Sequence, residues 1–461
     1  MNKISFYFVF CLLFFSFNVF SQENEISLEE KHSLIDIEQE LLKKDYKKVI
    51  RLVDKAIDDG FESVKLYEKR SVAYYLTRNT KKAFLDIQEV VFTEEKDDLS
   101  YPILSLFFAQ NKEEHNVIET LIGFYQKDNK NFLNAFSILS NKDAQKIITV
   151  IDSAFSKEDY PKKLHGVKSL INYSQKNYTD SYADLLKAID IELGNGFLYY
   201  LFGEIKLRRQ EYISSLASYN SAIEYGYNDI EVYKKRAVAK GFIEDFKGAI
   251  EDYNTIIEKD NKDFEIYYLR GIAKNYLKDY NGAIDDLNQS IKLNDSFPSS
   301  YNYRGIVYIN TGDYGSALID FYKTLTLDAN HPFTHNNIGI AQIKSGQSGD
   351  SESFFTKAIE LDPKHGDAYY NRAKIFFKRG DIKKAKSDLL RTLELNFENP
   401  DAHYHLALVY IQENAKSRRK NLDKMICQEL ETASNMNHPK AQELLKILCQ
   451  KIEPGNEEEE E

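Results

Sequence analysis

The chain has 461 residues, a net charge of −11 and 43% hydrophobic residues, with 32 tyrosines, 29 phenylalanines and no tryptophan. That length holds two to four ordinary domains, while only 20 glycines and 8 prolines suit a long helical array better than a loop-rich all-β protein. No sustained basic block is present to gather phosphates, which argues against nucleic acid as a partner.

The first element in chain order is an export signal. Lys3 is its lone positive charge, Ile4 to Phe20 is almost unbroken apolar sequence, and Val19-Phe20-Ser21 precedes Gln22. This is the charged, apolar, cleavable order of a secretory signal, spanning residues 1–21, with a linker at 22–29. Cys11, followed by Leu12 and Leu13, sits too deep in the apolar run to carry a lipid. Cleavage would deliver an exported protein to the periplasm or cell envelope. If the signal stays uncut, residues 4–20 become a membrane anchor, just short of a comfortable span.

Self-similarity organises the rest. Tyr267-Tyr268-Leu269-Arg270-Gly271 returns 34 residues later as Tyr301-Asn302-Tyr303-Arg304-Gly305, and two periods further as Tyr369-Tyr370-Asn371-Arg372-Ala373. Thirteen residues after each leading Tyr come Tyr280, Tyr314 and Ile382, then Ala283, Ala317 and Ala385, then Leu287, Phe321 and Leu389. Apolar residues three and four apart mark amphipathic helices. Breaks such as Thr311-Gly312-Asp313 split each unit, and others such as Asn294-Asp295-Ser296 close it, so the unit is a helical hairpin.

Divergent hairpins fill residues 30–161, with starts at 30, 64 and 98; Ala83 and Ile87 hold the small and large slots of the second. Segment 132–161 keeps Ile147, Ile151 and Ala154 but is four residues short, a loss expected in its turn. A regular array covers 162–440, with starts at 162, 196, 230, 264, 298, 332, 366 and 400 and no insertion before 400. The last unit has about seven extra residues around Ala415 to Lys420 before Ile426, Leu430 and Ala433 resume the pattern. Residues 441–452 read as a capping helix. Residues 453–461 form an acidic tail expected to be disordered, since like charges repel and nothing there can be buried.

A charge pair is written into the units. The seventh residue is basic at Arg70, Lys168, Arg236, Arg270, Arg304 and Arg372, and sixteen residues later stand Asp86, Asp184, Asp252, Asp286, Asp320 and Asp388. Units without the base lack the acid too: Leu104 with Thr120, Phe202 with Ser218, Ile338 with Phe354. Sixteen residues is roughly two helical turns up, across the turn and two back, so the groups should be level as structural ion pairs between the helices of one hairpin. Arginine's planar fork suits a carboxylate.

Cys427 and Cys449 fall in the last hairpin, about equidistant from a turn near Asn437 and His438. Placed opposite each other, they form a disulfide in the oxidising conditions an exported protein meets or, as the plainer reading, remain two buried thiols. His331 with His335 and His403 with His405 are the close histidine pairs. Three of these take repeat positions, so neither pair makes a metal site. Gly346-Gln347-Ser348-Gly349-Asp350 has the wrong spacing for a nucleophile elbow, and no phosphate-binding glycine loop occurs. The expectation is no enzyme, no cofactor, no metal and no small-molecule substrate.

The pattern resembles the tetratricopeptide repeat family: a Tyr, Gly or Ala four residues on, an Ala about sixteen from the Tyr, a large apolar residue four later, and an end such as Lys357-Ala358-Ile359-Glu360-Leu361-Asp362-Pro363. The resemblance covers roughly 30–440. It implies an all-α fold, a right-handed α-solenoid of about twelve antiparallel helix hairpins wound into a superhelix. It also implies a non-catalytic scaffold for other proteins or peptides. A structural subunit of an envelope assembly, docking by its convex face or N-terminal units, is the alternative.

By the same resemblance the second, fifth, ninth, twelfth and thirteenth residues of each unit face a concave groove. Here they include Phe197, Tyr200, Tyr268, Asn275, Tyr276, Asn302, Asn310, Phe333, Asn336, Tyr370, Phe377 and Tyr404. Tyr supplies rigid area with a polar tip, and Asn bonds both peptide groups, which suits an extended peptide or a partner helix; some of these rings instead pack between neighbouring units. Tyr233, Tyr267, Tyr301 and Tyr369 are assigned to the core. Relatives that clamp a chaperone's C-terminal carboxylate use Lys and Asn at fixed groove positions. Lys234, Tyr268, Asn302 and Asn336 with Val238, Ile272, Ile306 and Ile340 do not reproduce that arrangement.

Overall fold

The computed structural model describes residues 28–449 apart from 92, 94, 95, 158–160, 418 and 419. The signal or anchor at 1–21, most of the linker at 22–29 and the tail at 453–461 lie outside the described residues. Among the described residues there are 25 α-helices and no strand. The chain divides into two compact units, Met1–Val232 and Tyr233–Glu461.

In the first unit the hairpins are α1 Leu28–Leu42 with α2 Tyr46–Asp58, α3 Val64–Leu76 with α4 Thr80–Val90, and α5 Ser100–Gln110 with α6 Glu114–Lys127. Next come α7 Asn129–Phe136 and α8 Asn141–Phe155, which do not form a packed hairpin: α7 lies chiefly against α9 and α8 against α5. The hairpins resume as α9 Leu164–Ser174 with α10 Tyr178–Ile191, and α11 Gly196–Arg208 with α12 Tyr212–Glu224. The division falls within α13, Ile230–Phe242, which leads into α14, Phe246–Lys259. The second unit goes on with α15 Phe264–Tyr276, α16 Tyr280–Leu293, α17 Pro298–Thr311, α18 Tyr314–Leu327, α19 Pro332–Lys344 and α20 Ser351–Leu361. It ends with α21 Gly366–Arg379, α22 Ile382–Leu395, α23 Pro400–Ser417, α24 Lys420–Asn435 and α25 Pro439–Leu448. No described helix is long and apolar enough to cross a membrane.

The short segment is short for a different reason from the one expected. Its loss comes out of α7, which has only 8 residues and is separated from α6 by Asp128 alone, rather than out of a turn. The extra residues of the last unit extend α23 to 18 residues.

One turn geometry recurs with changing residues. The fifteenth residue of a hairpin has φ between 60° and 64° at Lys44, Arg78, Lys112, Lys176, Gln210, Glu244 and Lys278, and is glycine at Gly312, Gly346 and Gly380. A Cβ makes this conformation costly, so the packed helices impose it. The next residue then caps the second helix: Asp245, Asp279 and Asp313 accept the N–H of Gly248, Gly282 and Ser316 at 3.0–3.1 Å. At the unit end Asp260, Asn294, Asp328, Asp362 and Asn396 turn extended and accept an N–H two residues on, at 2.9–3.1 Å, closing an Asx turn.

Between the helices of a hairpin the small eighth residue of the first helix faces the large slot of the second. Ala283, Leu287, Ala317, Phe321, Ala385 and Leu389 are buried. A Cβ on Gly305 would sit 2.5 Å from the Phe321 ring, and one on Gly339 2.6 Å from Phe355, so glycine here sets how closely the helices approach. In the first unit one apolar core runs from Val72 to Ile205, with Tyr101 stacked on Phe124 at 4.2 Å and Phe132 on Phe136 at 4.3 Å.

The basic seventh residues do more than pair within a hairpin. Arg70, Arg236, Arg270, Arg304 and Arg372 each meet the Asp sixteen residues on through Nε and Nη2, with both bonds between 2.5 and 3.0 Å. The remaining Nη1 reaches backward by the same sixteen residues, to Asp54, Asn254, Asn288 and Thr356 from Arg70, Arg270, Arg304 and Arg372. One guanidinium therefore ties the second helix of its own hairpin to the second helix of the preceding one. The fourth-position rings Tyr67, Tyr233, Tyr267, Tyr301 and Tyr369 lie 5.5–5.7 Å from these guanidinium groups. Tyr233, Tyr267 and Tyr369 are half-buried against the clamp rather than core residues; Tyr301 alone is buried.

Lys168 departs from the pattern. Its amine is 2.6 Å from Asp152, sixteen residues before it, and 3.9 Å from Asp184, where His165 intrudes at 3.5 Å. A single-point ammonium cannot make the three-way contact of a guanidinium. Where the base is missing, Lys206 bonds Ser218 at 3.1 Å and lies 4.1 Å from the Phe202 ring, while Leu104 and Ile338 are buried. In the last hairpin His403 meets Glu429 at 2.5 Å instead.

Asp320 is buried, and among the described residues Arg304 is the one cation paired with it. Asp320→Ala strands that charge and should lower unfolding stability by roughly 3–5 kcal/mol. Arg304→Leu combined with Asp320→Leu should recover most of the loss, because paired charges and packed aliphatics of similar size are nearly equivalent. Chemical denaturation of the three proteins decides it; equal midpoints would contradict the clamp.

Candidate polypeptide-binding face

In the second unit the first helices of consecutive hairpins, α15, α17, α19, α21 and α23, touch one another in order. Their shared face is where most of the proposed groove residues lie, and the structure sorts them into three groups. Asn302 and Asn336 are buried and bond their neighbours: Asn302 accepts from Thr334 at 2.9 Å and Asn337 at 3.2 Å, and Asn336 accepts from Asn371 at 3.1 Å. They hold adjacent hairpins together and are closed to a partner, a correction to their assignment. The same holds for Phe197 in the first unit, buried against Tyr200 and Tyr227.

A second group is half-buried between hairpins. Tyr268 meets Phe297 and Tyr303 edge-on at 5.3 and 6.0 Å, Tyr404 stacks on His438 at 4.5 Å, and Tyr370 lies 3.3 Å from His405 Nδ1. Tyr200 and Phe377 are also partly covered. Burial pushes the Tyr370 hydroxyl above the usual phenol range and holds His405 below the usual imidazole value, with Lys374 and His438 adding to the latter.

The third group is open. Tyr276 is 59% and Phe333 54% exposed, and Asn310 donates to Asn275 at 3.0 Å on the surface. Tyr276 stacks on Phe246 at 4.5 Å. Together with Val238, Phe242, Leu269 and Ile272 these rings line a cavity of about 450 Å³ between α13, α14 and α15. Phe242, 59% exposed, and Phe246 are absent from the set expected from the sequence. Phe242 holds the thirteenth position, so the groove rule itself points to it; Phe246 opens the second helix, which that rule does not cover. From the cavity the ninth residues Val238, Ile272, Ile306 and Ile340 continue as a half-buried aliphatic lane without a charge.

The arrangement offers contact, not chemistry. Among the described residues no group of three or more His, Cys, Asp or Glu could hold a metal ion. The histidines have local partners: His331 accepts the Thr334 N–H at 3.2 Å, His335 meets the Ala329 carbonyl at 3.1 Å, and His405 the Asp401 carbonyl at 2.8 Å. Cys427 and Cys449 are joined by a disulfide, their Cα atoms 5.7 Å apart, which fastens the end of α25 to α24.

Residues 264–297 and 334–365 match one model of the tetratricopeptide repeat, and residues 354–387 match another. The chain is a tetratricopeptide repeat protein. Among solved structures, a tetratricopeptide repeat protein from Parabacteroides merdae is 18% identical over 54% of this chain and 98% of its own, with a TM-score of 0.48. A chain of the APC/C hetero-tetramer Cut9–Hcn1 is 13% identical over 92% and 97%, at 0.46. YrrB, a tetratricopeptide repeat protein with an unusual peptide-binding site, is 21% identical over 40% and 95%, at 0.33. No curated protein matches the chain.

Repeats of the first unit bury polar groups at the corresponding face. Glu68, the fifth residue of its hairpin, is 2% exposed and accepts the Asp97 N–H at 3.0 Å. Burial raises its pKa to about 7, the Asp97 charge adding to the rise and the N–H opposing it. The folded state then holds a proton that the unfolded chain releases near 4.5, the ordinary value of a glutamate. Stability should fall as pH rises from about 4.5 to about 7 and level off above. Glu68→Gln keeps the acceptor and removes the charge, so it should melt higher than the parent at pH 8 and no higher at pH 4; thermal denaturation at both values measures this.

Proposed function

We propose that this tetratricopeptide repeat protein is a non-catalytic scaffold that holds polypeptide segments of other proteins on the first-helix face of its second unit. The observation that carries the reading is the uncharged lane Val238, Ile272, Ile306 and Ile340 opening at one end into the ring-lined cavity of about 450 Å³. Large apolar side chains of a bound segment would be desolvated there, and each well-buried one contributes roughly 1.5–3 kcal/mol. The exposed Asn310 amide and the half-buried Asn275 amide can bond its main chain. Peptide binding by YrrB is consistent with this use of the repeat.

The site of action we propose is the periplasm or cell envelope. Two features support it: the charged, apolar and cleavable order of residues 1–21, and a disulfide between Cys427 and Cys449, a bond that persists in oxidising compartments. If residues 4–20 stay uncut they tether the same scaffold to the membrane.

A second reading rests on the opposite side of the hairpins. Ile319 is 70% exposed, and Tyr322 and Leu390 are also exposed on second helices, a surface suited to docking the chain as a structural subunit. A photo-crosslinking residue placed at Tyr276 and, separately, at Ile319 tells the readings apart in the native envelope. The groove reading expects adducts with discrete polypeptides from position 276 that Phe242→Ala abolishes. Adducts from 319 alone would replace it with the structural reading.

A further inference from the structure

Two successive hairpins of the first unit end differently from those that follow. Where Asp260, Asn294, Asp328, Asp362 and Asn396 fold back on their own backbone, the corresponding residues of the two preceding hairpins are Glu192 and Gly226. The longer glutamate reaches across to α6 instead, where its Oε1 accepts the hydroxyl of buried Tyr125 at 2.9 Å. Gly166 lies beside this bond: a Cβ there would overlap the Tyr125 hydroxyl and come within 3.1 Å of the same carboxylate oxygen. The shortened α7 brings Asn129 to the same place, and its Nδ2 is buried close to that hydroxyl but makes no hydrogen bond among the described residues. A cleft of about 530 Å³ results, lined by Glu192, Asn129, Asn195 and the rings of Phe197, Tyr225 and Tyr227. Its lining holds a carboxylate and no lysine or arginine. Burial raises the Tyr227 hydroxyl above the usual phenol range, and the charges of Asp229, Glu231 and Asp128 add to the rise, so the surroundings are negative as well. Tyr225, 43% exposed, stacks on Tyr199 at 5.1 Å, and Tyr227 meets Phe197 and Tyr200 at 5.3 and 5.2 Å.

We propose that this cleft takes an α-ammonium group together with the carbonyl that follows it, the chemistry of a polypeptide N-terminus or of a free α-amino compound. The ammonium donates to Glu192 and lies against the Tyr225 and Tyr227 rings, whose faces attract cations. The Asn129 amide donates to the carbonyl oxygen. A carboxylate alone would accept any cation, but a buried amide N–H beside it asks for an acceptor on the same ligand, which a lysine or arginine side chain does not carry. The cleft shares no residue with the aliphatic lane or its cavity, so this second site stands or falls separately from the reading above.

Synthetic pentapeptides with every standard first residue and a fluorophore at the C-terminal end test this, measured on the full chain by fluorescence anisotropy. Each is compared with its Nα-acetylated counterpart. Free peptides should bind, and acetylation should weaken them roughly tenfold, the effect of losing one charge-assisted hydrogen bond. Glu192→Gln keeps an acceptor for the Tyr125 hydroxyl and is checked by its melting curve; it should erase the difference between free and acetylated peptides. Tyr225→Leu, which removes a ring face but keeps bulk, should weaken the free peptides roughly threefold. Glycinamide at millimolar concentration separates the two sources of the group: displacement of the peptides identifies a small α-amino compound, and failure to displace them a polypeptide N-terminus. Free peptides that do not bind, acetylated peptides that bind as tightly, or a preference that survives Glu192→Gln would overturn the inference while leaving the binding face of the second unit untouched.

Discussion

Everything in each unit depends on one constraint: no hairpin can bury its apolar flank alone. Two helices of thirteen or so residues expose one greasy side whichever way they fold together, and the nearest surface of matching shape is the next hairpin along the chain. Stability is then a sum over neighbours, and each junction must be built to the same dimensions. Gly305 against Phe321 and Gly339 against Phe355 set the helix spacing inside hairpins. The arginine clamp, reaching sixteen residues forward and sixteen back, sets the spacing between them. Charges of this kind add little net stability over packed aliphatics, but a two-pronged guanidinium with a third bond behind it tolerates one geometry, so it specifies alignment.

Much of this is legible in the amino-acid sequence, because the chain contains many copies of its own unit. The 34-residue period, the small and large slots, and the co-occurrence of base and acid at sixteen residues all emerge when one copy is set against another. The backward half of the clamp is equally present. Asp54, Asn254, Asn288 and Thr356 stand where the next hairpin has its arginine, whereas Leu186, Tyr322 and Leu390 stand before Phe202, Ile338 and Leu406, with Gln88 before Leu104 the exception. It stays hidden when residues are paired only forward within a unit, because its two partners belong to different hairpins. The turn conformation is not legible, since Lys, Arg, Gln, Glu and Gly all fill the same left-handed position and only the cap after it is regular.

The binding face is the least legible part, for a physical reason. Its candidate residues follow from a family rule about which positions point inward, and that rule does not know what the neighbouring hairpin offers. Asn302 and Asn336 do point inward, but Asn337 and Asn371, one period and one residue further on, consume their carbonyl oxygens. Where the neighbour brings no amide to the pairing, at Tyr276 and Phe333, the side chains stay open. Exposure thus follows from pairs of repeats, not from a position within one.

The most direct test of nearest-neighbour stacking is to remove one repeat. Deleting residues 264–297 brings Arg304 opposite Asn254, the same acceptor type as Asn288, and joins two unit ends in register. The account predicts a protein with unchanged helicity per residue by circular dichroism and a single cooperative melt, whereas deleting 264–291, which breaks the register, costs helicity well beyond the residues removed. Equal loss from the two deletions would contradict it.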